Sequence, residues 1–107
     1  MFDVPLRGEI WTADVLGDKR RPVLILTRSS FVRRLNNVTI APVVSRVREI
    51  PTELVLTSSH GVDHRSAVSF DNILTIPQNQ LIQRIGQLSV PELLVACEAI
   101  ALALGCV

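Results

Sequence analysis

The chain has few of the features that mark secreted, disulfide-bonded or membrane proteins. Only two of its 107 residues are cysteines, and no apolar run approaches the ~20 residues that a helix needs to cross a bilayer. The longest such run, Leu93 to Leu104, is interrupted by Glu98. The first residues also lack a basic start followed by an apolar stretch. We therefore predict a cytoplasmic protein with no membrane span, in which Cys97 and Cys106 are free, buried thiols.

Aromatic side chains are also scarce, at 4% of the residues, although 48% of the chain is hydrophobic. That apolar fraction, with only 20% charged residues, argues against disorder. A chain of this length is the usual size of one domain, and it carries no internal repeat or flexible linker. We expect a single domain over residues 1–107 with an aliphatic core.

The common catalytic motifs are missing as well. No Walker loop, dinucleotide-binding glycine pattern or nucleophile elbow is found in the sequence. His60 and His64 are four residues apart, a spacing that suits a metal ion only on a helix, and Gly61 between them favours a loop. We predict no metal and no cofactor, and the role of the two histidines stays open.

Positive charge is present in one continuous part of the chain. The segment from residue 19 to residue 48 has no acidic residue and carries a charge of +8, while the remainder carries −7, for a net charge of +1. The eight basic residues are Lys19, Arg20, Arg21, Arg28, Arg33, Arg34, Arg46 and Arg48. Because guanidinium groups pair with phosphate oxygens in a bidentate manner and stack on bases, this segment favours nucleic acid, most of all RNA. The alternative is a set of solvated strand ends and loops.

Alternating apolar residues and single turn-forming residues predict a series of short strands. The predicted strands are Gly8–Val15, Val23–Thr27, Val38–Val44, Glu53–Thr57, Ala67–Phe70, Ile73–Ile76 and Leu81–Leu88. Pro22 is expected to open the second strand, directly before Val23, and Pro42 predicts a bulge or an edge in the third. Arg21 would then be held rigidly just before a buried strand.

A single helix is predicted to follow the strands, from Val90 to Leu104. Ser89 and Glu92 have the spacing of a capping box, and Gly105 is placed to end the helix. Since this helix is apolar nearly all round, we expect it to pack on the sheet and against another subunit. Strands followed by one helix predict a mainly β fold, a small antiparallel barrel or curled sheet with a C-terminal helix.

Several blocks of sequence together resemble the MazF/PemK toxin family. They are Arg7-Gly-Glu-Ile-Trp, Arg20-Arg-Pro-Val-Leu-Ile-Leu-Thr, Ile40-Ala-Pro-Val-Val-Ser, Ile50-Pro-Thr-Glu-Leu and Ser66-Ala-Val-Ser-Phe-Asp-Asn-Ile. The blocks occur in the family's order, and with the apolar helix they cover nearly the whole chain. The resemblance implies an SH3-like barrel of the CcdB/MazF type and a homodimer. It also implies a toxin that arrests growth by cutting single-stranded RNA at short sequences without metal, and that is held in check by a cognate, MazE-like antitoxin.

The resemblance also implies two catalytic positions. The arginine of the Arg-Pro block carries over to Arg21. The second is a threonine or serine at the end of the third strand, where this chain has Val44. Ser45 is the next residue, and it replaces the hydroxyl only if the backbone is bulged or the register shifts by one. Either Ser45 takes that role, or Arg21 acts alone and cleavage is slowed or lost.

Four further arginines are candidate RNA contacts: Arg20, Arg28, Arg46 and Arg48. Trp11 is either a core residue or a platform for stacking bases. The altered residue at position 44 keeps two other readings of the chain open. One is a binding module, such as a toxin that docks to DNA gyrase, and the other is a degenerate toxin that only binds antitoxin.

Overall fold

The computed structural model describes residues 4–15, 20–28 and 36–106, which form a seven-stranded sheet and one α-helix. The strands are β1 (Glu9–Asp14), β2 (Arg20–Ile25), β3 (Asn37–Val44), β4 (Glu53–Leu56), β5 (Ser66–Ser69), β6 (Leu74–Pro77) and β7 (Leu81–Gln87). The helix is α1 (Val90–Ala103), and short 3-10 turns lie at Ser58–His60, Phe70–Asn72 and Gln78–Gln80.

The sheet is antiparallel and curls around β3, which pairs with three other strands. The strand order is β4-β5-β3-β2-β1-β7, and β6 also pairs with β3. On one side β3 pairs with β2, and on the other it pairs first with β6 and then, at Val43 and Val44, with β5. Because the partner changes along β3, the sheet forms a half-barrel. The predicted class, a mainly β curled sheet with a C-terminal helix, is confirmed.

Both faces of the central strand β2 are buried. Leu24 belongs to an apolar cluster that includes Phe70 of the 3-10 turn after β5 and Ala96 of the helix. Val23 points into a second cluster, which includes Trp11. Full burial of each large apolar side chain stabilises the fold by about 1.5–3 kcal/mol. The residues on either side of this buried segment of β2 are therefore held in a rigid position.

Pro22 and Pro42 lie within β2 and β3. The predicted second strand starts at Val23, whereas β2 starts at Arg20 and includes Pro22. Pro22 pairs with Thr12 of β1. It does not pair with β3, because the β2–β3 pairing begins at the next residue, with Val23 opposite Pro42. Of the two alternatives that Pro42 predicts, a bulge or an edge, the bulge is absent from the β2–β3 register, which has no shift there. Instead Pro42 lies between the part of β3 that pairs with β6 and the part that pairs with β5, where no ladder bond is required on that side.

A close contact between two glycines joins the β4–β5 loop to the last strand. A Cβ atom on Gly61 would collide with the backbone carbonyl of Ile85, and one on Gly86 would collide with the carbonyl of His60. Gly61 also has a φ of 89°, in the left-handed region that glycine adopts most easily. The start of the loop is therefore fixed against β7.

The C-terminal helix begins at Val90 as predicted and ends at Ala103, one residue before the predicted Leu104. Ser89 Oγ accepts a hydrogen bond from the backbone N–H of Glu92 (3.2 Å), and Glu92 Oε1 accepts one from the backbone N–H of Ser89 (2.9 Å). This capping box is confirmed. Gly105, with a φ of 72°, follows the helix end. Among the described residues there is no helix long and apolar enough to span a membrane.

The helix is buried on one side only. Ala96 and Ala99 pack on the sheet, while a set of large apolar residues at or just after the helix is exposed: Val90, Leu94, Val95, Leu102 and Leu104. Both cysteines are free, as predicted, but the prediction that both are buried is wrong. Cys97 is partly buried, and Cys106 is exposed because it follows Gly105, where the chain has left the helix.

Candidate active site

A polar cleft of about 370 Å³ opens where β2 begins and β3 ends. These two ends meet at one edge because the strands are antiparallel. The loop between β4 and β5, residues 57–65, forms the facing wall. The cleft is lined by Arg20, Arg21, Pro22, Val43, Val44, Ser45, Val62, Asp63, His64 and Ser66.

Arg21 lies in the cleft on the second residue of β2. Its backbone is opposite Ala13 of β1, and the side chain is half-buried. Extending the β2–β3 register by two residues beyond the Val23–Pro42 pair places Arg21 across from Val44. The neighbouring Arg20 is exposed and lies 3.7 Å from Asp14. The structure therefore brings both arginines of the Arg-Pro block to the cleft, with Arg21 the more enclosed of the two.

Ser45 reaches the same cleft because β3 ends before it. Val44 is the last residue of the strand and Ser45 lies in a bend, so strict alternation of side chains no longer applies at Ser45. Val44 and Ser45 both line the cleft, and Ser45 is exposed. The hydroxyl therefore enters the cleft through the end of the strand rather than through a bulge.

His64 is a cleft residue whose place the sequence did not reveal. Its Nε2 atom is 3.2 Å from Ser45 Oγ, and its Nδ1 atom is 2.5 Å from Asp63 Oδ1. The backbone carbonyl of His64 accepts a hydrogen bond from the buried Ser66 hydroxyl at 2.9 Å. Ser45 and His64 are 19 residues apart, and the pairing of Val44 of β3 with Ala67 of β5 brings them together.

The other predicted RNA contacts lie outside the lining of the cleft. Arg28, Arg46 and Arg48 are exposed, and Arg46 directly follows Ser45. The other three bases of the segment, Lys19, Arg33 and Arg34, lie outside the described residues. Within the part of the chain that the structure describes, no three acidic, histidine or cysteine side chains are grouped to hold a metal ion.

His60 lies at the opposite end of the β4–β5 loop and is buried. The backbone N–H of Thr57 donates to its Nδ1 atom (3.1 Å), and its Nε2 atom is 2.7 Å from Glu92 Oε2. Since Nδ1 accepts a hydrogen bond, the ring carries its hydrogen on Nε2 and donates it to Glu92. The backbone N–H of Ser89 and, to a smaller extent, His60 keep the pKa of Glu92 below its ordinary value.

Trp11 is a core residue, only 6% exposed. Its indole N–H donates to Glu9 Oε1 (3.1 Å), and Arg84 donates to Glu9 Oε2 (2.9 Å). Burial alone would raise the pKa of Glu9, but the hydrogen bonds from the Leu6 backbone, Arg84 and Trp11 outweigh it and hold that pKa below its ordinary value. Of the two roles open for Trp11, the structure supports the one in the core.

Comparison with known proteins gives consistent matches along the chain. A family model described as PemK-like, MazF-like toxin of type II toxin–antitoxin system matches residues 6–104. A Mycobacterium tuberculosis protein named probable endoribonuclease MazF5 is 32% identical over 107 residues, which cover 99% of this chain and 98% of that protein. All the sequence blocks quoted above lie within the residues that the family model matches.

Solved structures give the same result for the fold. The Mycobacterium tuberculosis toxin MazF-mt6 matches with a TM-score of 0.85 at 40% identity, over 91% of this chain and 96% of that one. An endoribonuclease from a mycobacterial species, solved in complex with its cognate antitoxin, matches with a TM-score of 0.84 at 28% identity, over 94% of this chain and 95% of that one.

Proposed function

Since the chain belongs to the PemK-like, MazF-like family of toxins of type II toxin–antitoxin systems, we propose that it is an endoribonuclease that cuts single-stranded RNA in the cleft around Arg21. The observation that carries the proposal is the presence of the Arg21 guanidinium and the Ser45 hydroxyl in one cleft. The endoribonuclease names of the relatives support it.

The proposed reaction is an attack of the ribose 2′-hydroxyl on the adjacent phosphate. The bond from O2′ to phosphorus forms and the bond from phosphorus to O5′ breaks, which leaves a 2′,3′-cyclic phosphate and a 5′-hydroxyl end. Negative charge grows on the phosphoryl oxygens as the phosphorane forms. Arg21, half-buried on a rigid strand, is suited to bind these oxygens through its fork of N–H donors. Ser45 is the hydroxyl that assists.

The proposed path of the RNA runs from the cleft over the exposed arginine side chains beside it. Arg20 lines the cleft, and Arg46 and Arg48 follow Ser45 on the surface. Arg28 is a further exposed basic residue, just after β2. If these side chains contact phosphates, the affinity for RNA falls steeply as salt increases, and each arginine removed lowers the slope by about one.

Two protein partners belong to the proposal, a cognate antitoxin and a second copy of the chain, with the reaction placed in the cytoplasm. The solved relative in complex with its cognate antitoxin supports the first partner. The exposed apolar side of α1 supports the second, because a face with Leu94 at 63% and Leu104 at 65% exposure is costly to leave in water.

The direct test uses an RNA oligonucleotide and a copy with a single 2′-deoxy nucleotide at the cut position. The RNA should be cut in the presence of a metal chelator and give a cyclic phosphate end, while the deoxy copy stays intact at that position. Cleavage of the deoxy copy at the same position would exclude attack by the 2′-hydroxyl. Intact RNA after incubation with the purified protein would contradict the proposed endoribonuclease activity. It would favour a non-catalytic role instead, which the names of the relatives do not support.

A further inference from the structure

The geometry of the cleft points to a proton-accepting role for His64. We propose that His64, oriented by Asp63 and acting through the Ser45 hydroxyl, takes up the proton that the ribose 2′-hydroxyl loses. This inference rests on the proposed function, and it assigns a part of that reaction to a histidine that the sequence left without a role.

The hydrogen bonds around the ring decide which nitrogen can accept a proton. His64 Nδ1 is 2.5 Å from a carboxylate oxygen of Asp63, and an ionised carboxylate only accepts, so Nδ1 carries the hydrogen. Nε2 then has a lone pair, and it faces Ser45 Oγ at 3.2 Å. The Ser45 hydroxyl therefore donates to Nε2, and its oxygen lone pairs are directed away from the ring.

The loop holds His64 in this place from its backbone. The Ser66 hydroxyl is buried in β5 and donates to the His64 carbonyl (2.9 Å). The next residue, Arg65, pairs with Glu49 at 2.8 Å, which ties the loop to the segment after Ser45. The side chain itself is 56% exposed, so a substrate can reach this wall of the cleft.

The proposed transfer balances its protons and bonds. Ser45 Oγ accepts the 2′-hydroxyl proton as it passes its own proton to His64 Nε2, and O2′ forms its bond to phosphorus. The O5′ leaving group takes a proton from solvent, and the imidazolium later returns one to solvent, so no water is consumed. Arg21 neutralises the charge on the phosphoryl oxygens. Asp63 keeps the ring in the accepting tautomer and offsets the imidazolium charge.

Among the residues that the structure describes, few charged groups line the cleft around His64, so the pH dependence has few sources there. They are Asp63 on the same loop, and Arg20 and Arg21 from β2; the end of β3 contributes the uncharged Ser45. Carboxylates and guanidinium groups ordinarily do not change charge between about pH 5 and 8, the range in which imidazole side chains as a class titrate. A rise in rate over that range that is lost when His64 is replaced would therefore report this ring rather than His60.

The test compares the wild type with His64→Gln, whose amide can hydrogen-bond but cannot take up a proton. We expect kcat to fall roughly 100-fold or more, with unchanged binding of an uncleavable 2′-O-methyl RNA. The wild-type rate should rise between about pH 5 and 8 and the variant's rate should not. Ser59→Ala is the matched control, because Ser59 is on the same loop, exposed and outside the cleft lining, and it should keep both rate and profile.

The outcomes separate this inference from the function on which it rests. If the wild type cuts RNA and His64→Gln keeps the same rate and the same pH profile, the role of His64 is overturned and the endoribonuclease stands. If the variant loses RNA binding instead of kcat, His64 is a substrate contact and the proton-accepting role is again overturned. If the wild type leaves RNA intact, both proposals fail together.

Discussion

The two histidines of the β4–β5 loop are four residues apart and have opposite surroundings. His60 is buried, and both of its ring nitrogens bond to the protein, one to the Thr57 backbone and one to Glu92. His64 is more than half exposed, and its Nε2 faces a hydroxyl in the cleft. The hydrogen is on Nε2 in the first ring and on Nδ1 in the second. One end of the loop therefore stabilises the fold, and the other presents a side chain to a substrate.

Their carboxylate partners differ in the same way. Glu92 caps the first turn of α1 and is 34% exposed, whereas Asp63 is 92% exposed. Charges in water are screened, so Asp63 orients its histidine but contributes little to stability. Substitutions at the two ends of the loop should therefore separate the free energy of unfolding from the rate of RNA cleavage.

The largest effect on stability should come from Gly61, next to His60. Gly61→Ala places a methyl group against the backbone of Ile85, and we expect a loss of about 3 kcal/mol in the free energy of unfolding. Gly105→Ala is the matched control, since Gly105 also has a positive φ but nothing within 4 Å of the added atom. It should lose about 1 kcal/mol. Equal losses in urea denaturation would show that the Gly61 contact does not fix the loop.

Removing the two imidazoles should affect stability very unequally. His60→Ala leaves the Thr57 N–H and a Glu92 oxygen without their partner at a buried position, which should cost about 2 kcal/mol. His64→Ala, at an exposed position, should change stability by less than about 0.5 kcal/mol. The measurement is the midpoint and slope of urea unfolding. Similar losses in both variants would contradict the division of the loop.

Acid should weaken the buried end of the loop. Because the pKa of Glu92 is lowered, chiefly by the Ser89 N–H, its ionised form stabilises the fold above the ordinary value of 4.5, and that stability is lost as pH falls through the lowered pKa. Glu9, whose pKa is also lowered, acts in the same direction.

Glu92→Gln should cost about 0.5–1 kcal/mol at neutral pH, after allowance for its partial exposure. It should also flatten part of the decline in stability between about pH 6 and pH 3. Unfolding measured across this range checks both effects. An acid decline as steep in the variant as in the wild type would mean that Glu92 has no part in it.

The smallest effect should come from Asp63, at the exposed end. Asp63→Asn keeps a hydrogen-bonding group beside His64 but removes the charge, and screening by water limits the consequence to a roughly 2- to 5-fold fall in cleavage rate. The free energy of unfolding should not change. A loss of stability in this variant would show that Asp63 stabilises the fold. It would contradict the difference between the two ends of the β4–β5 loop.

Local patterns in the sequence were enough to predict most of the fold. The Ser89–Glu92 capping box and the strand alternation act over a few residues, so they can be read directly from the chain. The start of β2 was placed too late because Pro22 reads as a strand start, whereas pairing with β1 extends the strand back to Arg20. The apolar stretch before Cys106 predicts a buried thiol, but Cys106 follows Gly105, beyond the helix end, and is exposed.

The candidate site was only partly predictable for the same physical reason. Arg21 and Ser45 were found through the resemblance of their sequence blocks to a family. His64 gave no such signal, since its contact with Ser45 depends on the long-range pairing of β3 with β5 and on the Ser66 bond that holds its backbone. Alternation of side chains along a strand required a bulge or a register shift for Ser45 to face the site. Neither is needed, because β3 ends at Val44 and alternation no longer applies to Ser45.

Cleavage in this cleft should depend most on Arg21, and one comparison tests that dependence directly. The rate of RNA cleavage is measured for the wild type and Arg21→Ala under single-turnover conditions, with the free energy of unfolding measured on the same preparations. We predict a rate at least ~100-fold lower in the variant, the size of effect seen when one group that stabilises a transition state is removed, with stability within about 1 kcal/mol. Equal rates in the two folded proteins would contradict the placement of the reaction in this cleft.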